Sequence, residues 1–572
     1  MSSQPPRPLP PLIILLAVLL SLLAGWAASP APAGAASGLV GAGDQRYLAF
    51  FPPPQARGEL KISLHPAKPA VGRPVVIGFG LPFPPGFSDD PGRIALFDNL
   101  GHEIPIHVKV LARWPQAMPG GGSLRAVLIQ FQDLIAAEMQ RDYLVRWGQP
   151  RGQSEKRGWS SRQDWILVDD GSYPPGAVME PPVYVTLPPA WLGMCLLKGR
   201  INPAGTAPGF AWYDQEMRNY FGTAVNHYEY PVQEKLQIDY VHQSEPWLFD
   251  RATTLFMVYL RQGGLEPLRQ AHRAAQYYAR QIRSDGGFAL LGNGPNSRDV
   301  KFGYQECLAL DHWLTGDELM LDVSRRVLAL LDAWDHHYGL DKGFWTERHM
   351  AFSLLNATVA YEILGDPALL TQARERFDSV HQFQTQPPAG APAGLGCTPH
   401  KGKQHGENLE GWYCSPWMTA LLVDAIMRYY LVSADPRAPE SVTEFARFVA
   451  QRGLYTINHE SYKQPYQVPM YLTNLHDPAK HMIDRWTDQQ HALDMSAVMA
   501  AALRLAPPDH RHRQLLERAL NELLLTAQFD FEKNVNPYGH RDNRPKYPLN
   551  PPRRFNWWFR TTAGLDWLIE PR

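Results

Sequence analysis

The feature that most constrains this 572-residue chain is a unit repeated through its C-terminal two-thirds: an apolar helix, a short break, then a second, amphipathic helix. The breaks read Arg261-Gln262-Gly263-Gly264, Leu314-Thr315-Gly316-Asp317, Ile363-Leu364-Gly365-Asp366 and Val432-Ser433-Ala434-Asp435-Pro436. Each follows an apolar run, at 256–260, 308–313, 354–361 and 420–430. Gly after a helix accepts the left-handed conformation, and Asp then caps the next helix. Hairpins recurring every roughly 45–70 residues specify an α/α array rather than a two-layer sheet protein. First helices are expected to start near Trp247, Lys301, Glu347, Ser415, Trp486 and Asn556, and second helices over 265–283, 318–335, 367–382, 438–452 and 510–527. Six and five helices approach a closed (α/α)6 toroid. The stripe Leu319, Val323, Val327, Leu330 and Leu331 has the helical period such a helix needs. In a closed ring the starts of the first helices share one rim, and here each start carries a polar and aromatic cluster.

Ahead of the repeat the period is two. Leu60-Lys61-Ile62-Ser63-Leu64 alternates, 74–79 is a strand with a glycine at Gly78, and Ile94-Ala95-Leu96-Phe97 runs into the turn Asp98-Asn99-Leu100-Gly101. Two more strands fall at 104–110 and 126–131. Short strands between Gly/Pro turns predict a small β-barrel or sandwich over 45–148. Residues 149–245 read as an irregular, partly β connection with an aromatic stretch at 208–245, and the toroid is expected over 246–572. The expected fold class is multidomain β + α: an N-terminal small β-barrel or sandwich followed by an (α/α)6 toroid. The long loops 385–413, 455–485 and 529–555 are rich in Tyr, His, Asn and Trp, and loops of that length in a compact domain are functional or disordered; the composition favours function.

Residues 1–36 combine Arg7, an apolar run at 12–24 and a small-residue tail with the choices Ala31-Pro32-Ala33 and Ala33-Gly34-Ala35. This is the layout of a cleaved secretory signal, with an uncleaved anchor as the alternative. Export to the periplasm or outside is therefore expected, with no further membrane segment. The formal net charge of −1 excludes a nucleic-acid footprint and an acidic disordered chain alike. Of the four cysteines, Cys397 and Cys414 share one segment that an oxidising compartment would let pair, Cys307 falls on an apolar helix, and no spacing fits zinc. The 17 Trp, 24 Tyr and 23 Phe fill cores first, but their exposed faces stack on the C–H faces of sugars.

Four segments occur in order: Phe79-Gly80-Leu81-Pro82-Phe83-Pro84-Pro85-Gly86, then Asp98-Asn99-Leu100-Gly101-His102-Glu103-Ile104-Pro105, then Arg113-Trp114-Pro115, then Gly121-Gly122-Ser123-Leu124-Arg125. Together they resemble the N-terminal RIFT-barrel domain of the rhamnogalacturonan exolyase-like family. The resemblance covers about a hundred residues and is carried by turn chemistry. It implies an exported carbohydrate-active protein acting on an acidic polysaccharide by β-elimination in a toroid cleft. The family continues with a full β-sandwich, for which 149–245 is short. None of the matched motifs lies in the toroid, so the resemblance names no catalytic residue.

β-Elimination on a uronate needs a cation or donor to neutralise the carboxylate, a base for the C5 proton and an acid for the leaving oxygen. Hydrolysis needs two carboxyl groups about 5–9 Å apart. The first helix start offers Tyr240, His242 and Trp247; the second Lys301 and Tyr304; the third Glu347, Arg348 and His349. The fourth, 400–413, is richest, with His405, Glu407, Glu410, Trp412 and Tyr413 on a glycine-spaced loop that can approach a ligand closely. The fifth offers Arg485, Asp488 and His491, and the sixth Trp557 and Arg560. The expected roles are His349 or Tyr304 as base, Arg348 or Arg485 as neutraliser, and Tyr413 or His405 as proton donor. The remaining twelve residues just named are expected to contact substrate: Tyr240, His242, Trp247, Lys301, Glu347, Glu407, Glu410, Trp412, Asp488, His491, Trp557 and Arg560. A glycoside hydrolase using Glu347, Glu407, Glu410 or Asp488 is the second enzymatic reading. A non-catalytic glycan-binding scaffold for exopolysaccharide export is the third. His400, His405 and Glu407 have metal-donor chemistry, but a Gly-Lys loop is a weak cage; no metal or other cofactor is expected, and the partner is a polysaccharide.

Overall fold

The computed structural model describes residues 44–67, 73–134, 140–155, 157–173, 176–226, 244–289, 297–336, 338, 346–405, 409–458, 465–484, 488–533 and 553–570. Strands β1 (Gly58–Pro66), β2 (Val75–Pro82), β3 (Ile94–Phe97), β4 (Glu103–Ile104), β5 (His107–Arg113), β6 (Leu124–Asp133) and β7 (Arg141–Trp147) open the fold. The hairpin β8 (Ile166–Val168)–β9 (Val178–Glu180) and strand β10 (Val183–Thr186) follow. They form two larger antiparallel sheets, ordered β10-β1-β7-β3-β4 and β2-β6-β5. Period two puts Leu60, Ile62 and Leu64 of one sheet and Ile77, Phe79 and Leu81 of the other into a shared core. β2 is buried on both faces because a helix lies against it. A Cβ at Gly80 would fall 2.1 Å from the Trp313 carbonyl oxygen, so glycine is what lets strand and helix backbone touch.

Twelve helices make the ring among the described residues. The inner ones are α2 (Arg251–Gln262), α4 (Gln305–Thr315), α6 (Glu347–Leu364), α8 (Pro416–Ser433), α10 (Ala492–Leu505) and α12 (Arg554–Phe559). Each packs on the next, and α12 packs back on α2. The outer ones are α1 (Ala211–Asn226), α3 (Leu265–Gln281), α5 (Leu319–Asp332), α7 (Pro367–Thr385), α9 (Arg437–Phe448) and α11 (Arg513–Lys533). The hairpin breaks work as the sequence predicts. Gly316 and Gly365 close α4 and α6 at φ 78° and 72°, and the Asp317, Asp366 and Asp435 carboxylates accept from the N–H groups that open the next helices.

The difference lies in 149–245, read from sequence as irregular. The structure places α1 there, packed between α11 and α2, where it closes the outer ring. Its buried residues Tyr213, Met217, Tyr220 and Ala224, with Phe210 just before it, recur at three and four, a helical period hidden by aromatic richness. The helical part thus begins before Pro246, and Ala42–Arg572 makes one compact unit; Met1–Gly41, with the expected signal, lies outside the described residues. The segment after β10 enters the C-terminal end of the ring. Lys198 there bridges Glu306 and Asp424, and Arg560 binds the same two carboxylates. Arg125 clamps the sheets to that end, its guanidinium between the Trp114 and Trp313 rings and ion-paired to Glu362. Each buried charge has an opposite partner, without which such a network would be prohibitive.

Candidate functional site

The opposite end, where the inner helices start, holds a cluster of polar side chains with unpaired atoms among the described residues. Glu347 opens α6 and is fully buried. Its Oε1 accepts from the Ser415 N–H at 2.8 Å, tying the starts of α6 and α8 together. Its Oε2 has no hydrogen bond and lies 3.5 Å from His400 Nδ1, too far and too poorly aligned for one. His400 is held by strand β11 (His400–Lys401), which pairs with β12 (Trp412–Cys414), and β12 pairs in turn with the two-residue strand Thr473–Asn474. A Cys397–Cys414 disulfide closes this segment.

Next in the chain is Arg348, half-buried, with no hydrogen bond to Nε and no ion pair among the described residues. Burial holds its guanidinium below the usual range, against the attraction of Asp299. His349 is fixed on both sides: Nδ1 bonds the Thr346 hydroxyl, and Nε2 lies 3.4 Å from Asp299 Oδ1. Asp299 also pairs with Lys301 at 2.7 Å. Burial would raise Asp299, but His349 and Lys301 hold it well below the carboxylate range.

Aromatic rings continue the wall. His405 stacks on His400 at 5.5 Å and meets Tyr471 edge-on at 5.3 Å. Tyr471 stacks on Trp417, and Trp417 on His491 at 4.9 Å; His491 and Trp557 are 4.4 Å apart. Phe249 touches both Trp417 and Trp557 at 5.8 Å. It sits at φ 67°, next to Asp250 at φ 64°, two adjacent non-glycine residues in the left-handed region. Strain of that kind concentrates at functional sites. Burial depresses the imidazoles, His400 to about 3 and His405 to about 4, the latter helped by Arg348 and His349. Burial raises Glu347 to about 8. Near neutral pH His400 and His405 are therefore neutral imidazoles and Glu347 a neutral carboxyl, beside a guanidinium, that of Arg348, with no ion pair among the described residues.

Of the residues named from sequence, Arg348, His349, His405, Glu347, His491 and Trp557 meet here. Tyr304 lies below them, its ring against Tyr278 and Phe352, its phenol pushed far up by burial. Asp488 is buried beside α10 and accepts from the Tyr455 hydroxyl and the Asp484 N–H; burial raises it to about 8. Others go elsewhere. Trp247 stacks on Tyr277 in the core, and Arg560 is part of the ion network at mid-ring. Tyr413 donates to the Glu410 carbonyl, Glu410 pairs with Lys403 at the surface, and Trp412 lies buried under Lys401. Tyr240, His242, Glu407 and Arg485 lie outside the described residues. Sequence reasoning left out Trp417, Tyr471 and Asp299. Trp417 sits two residues after the helix start at Ser415, and Tyr471 in a long loop already marked as functional. Among the described residues no group of three His, Cys, Asp or Glu is placed to hold a metal, and no helix is long and apolar enough to cross a membrane.

No family model matches the chain, and no curated protein does. Solved structures similar to it include a sugar epimerase from a ruminal bacterium, with TM-score 0.44 and 11% identity over 61% of this chain and 98% of that one. Cellobiose 2-epimerase from Bacillus thermoamylovorans gives 0.41 and 13% over 62% and 98%, and a polysaccharide lyase gives 0.38 and 13% over 61% and 95%. Scores this low transfer no chemistry, and the ring stands on the helix contacts described above.

Proposed function

We propose that this protein is an exported polysaccharide lyase that cleaves an acidic polysaccharide by β-elimination at the rim of the toroid. The observation that carries the reading is Arg348: a half-buried guanidinium without an ion pair among the described residues, close to the neutral His405 imidazole. A buried unpaired cation is costly, and an incoming uronate carboxylate relieves that cost. Neutralising the carboxylate also makes the C5 proton removable, because the carbanion delocalises into it. His405 is the base. Both its nitrogens lack partners among the described residues, and it is unprotonated near neutral pH. Part of its low basicity comes from Arg348, so the carboxylate that binds Arg348 raises the basicity of His405 as it arrives. His349, locked by Thr346 and Asp299, orients the cluster rather than taking the proton. The buried rings of Trp417 and Trp557 form part of the apolar wall of the cup. The resemblance of the N-terminal sequence motifs to a RIFT-barrel domain supports this reading, and the disulfide suits an oxidising compartment.

A hydrolase reading draws on Glu347, a carboxyl protonated near neutral pH as a general acid must be. Its complete burial and its bond to Ser415 argue for a structural role instead. The test is ultraviolet absorbance of unsaturated product across a panel of acidic polysaccharides. Arg348→Gln is expected to weaken both binding and turnover by about 10–100-fold, the worth of a charge-assisted bond. Reducing-sugar release without unsaturation would replace the lyase with a hydrolase. Binding without any turnover would leave a glycan-binding scaffold.

A further inference from the structure

The cup contains a second imidazole that the reaction above leaves without a role. His491 is 1% exposed, packs against the rings of Trp417 and Trp557, which also touch each other, and directs Nδ1 to Asp494 Oδ2 at 2.8 Å. Asp494 sits three residues on, in the first turn of α10, so one helix turn fixes both groups. That bond sets ring orientation and leaves Nε2 without a partner among the described residues. Across the Tyr471–Trp417 wall stands His405, whose nitrogens are equally unengaged. A β-elimination needs two proton-transfer groups at different atoms of one sugar, and these two imidazoles flank one aromatic wall.

The other candidates for the acid are occupied or sealed off. Tyr413 is bonded within its own loop, His349 is bound on both nitrogens, and both ring nitrogens of His400 are buried beside Glu347. We infer that His491 is the catalytic acid that protonates the leaving oxygen, and that Asp494 is the positioning residue that holds its ring. This rests on the lyase reading above. His405 takes the proton from C5. The C–H electron pair becomes the C4=C5 double bond, the C4–O bond breaks, and its electron pair takes the proton from His491 Nε2. His405 then releases its proton to solvent and His491 regains one, so the cycle needs no other reactant.

An acid is needed only when the leaving group is poor. The test compares the native polysaccharide with a synthetic uronoside carrying a nitrophenoxy group at C4. His491→Gln is expected to lose at least about 100-fold in kcat on the polysaccharide, a typical general-acid contribution, yet stay within about tenfold of the parent on the activated substrate. His405→Gln should lose activity on both. Asp494→Asn should repeat the His491→Gln pattern with a smaller loss and an unchanged KM, and it serves equally if the His491 variant does not fold. Equal losses on the two substrates for His491→Gln and Asp494→Asn, in a parent that makes unsaturated product, would overturn the assignment of the acid alone. A parent inactive on both substrates would overturn the lyase reading itself.

Discussion

Replacing Glu347 by glutamine should stabilise this protein at neutral pH, the reverse of what altering a fully buried residue usually does. Burial raises the carboxyl from 4.5 to about 8. A group raised in the folded state contributes its full stability below its unfolded value and loses it as pH climbs through its folded value. The contribution is therefore complete below 4.5 and gone above about 8. Between those limits the unfolded chain ionises while the native state does not, and stability falls by about 1.4 kcal/mol per pH unit, roughly 5 kcal/mol across the window and about 3 kcal/mol by pH 7. Glutamine keeps the acceptor for the Ser415 N–H and can turn its amide toward His400 Nδ1, which has no partner. With about 2.1 cal/mol/K of unfolding entropy per residue over a unit of about 530 residues, 3 kcal/mol corresponds to a rise of roughly 3 °C in Tm. Calorimetry of parent and variant near pH 4.5 and pH 7 reads it: near-equal Tm at the lower pH, the variant higher at the upper. A variant destabilised equally at both would refute the argument that Glu347 is held protonated. The same variant separates the two enzymatic readings, since a lyase keeps its turnover and a hydrolase using Glu347 as acid loses it.

Arg560→Met should destabilise the fold by about 3–5 kcal/mol in a denaturant titration, because Glu306 and Asp424 would be left buried with Lys198 alone; a change under about 1 kcal/mol would show that the network contributes little. A fragment beginning at Pro246 lacks α1 and the sheet that meets α4 through Gly80, so it should show no cooperative thermal transition by circular dichroism; a sharp helical melt would show that the inner hairpins close without either.

The repeat was legible because its signals are local. A glycine that must take positive φ, an aspartate whose carboxylate reaches the next N–H groups, and an apolar stripe at helical period act within a few residues, and the helix bounds follow them closely. The rim was legible for a related reason: once the hairpins close into a ring, all first-helix starts face one way, so Glu347, Arg348, His349, His405, His491 and Trp557 had to come near one another. The helix α1 was missed although Phe210, Tyr213, Met217 and Tyr220 hold the same period, because Trp and Tyr between them blur the contrast between its faces.

Within the rim, sequence had no means of sorting partners. Tyr413 and His405 sit eight residues apart in one loop and looked equivalent. Strand pairing then bonded the Tyr413 hydroxyl into its own turn and left His405 open to the cup. Trp247 and Trp557 both stand at helix starts, yet one stacks on Tyr277 in the core and the other faces His491. Arg348 and Arg560 are the same residue type on inner helices. Depth along the ring gives Arg560 ion pairs with two carboxylates and Arg348 none among the described residues. Local chemistry therefore determined the hairpins and the end of the ring at which the inner helices start, because caps and periodicity operate within one turn of the chain. Which groups stay unpaired there was decided only by tertiary structure, because burial, ion pairing and the shift of a proton affinity depend on neighbours dozens to hundreds of residues away.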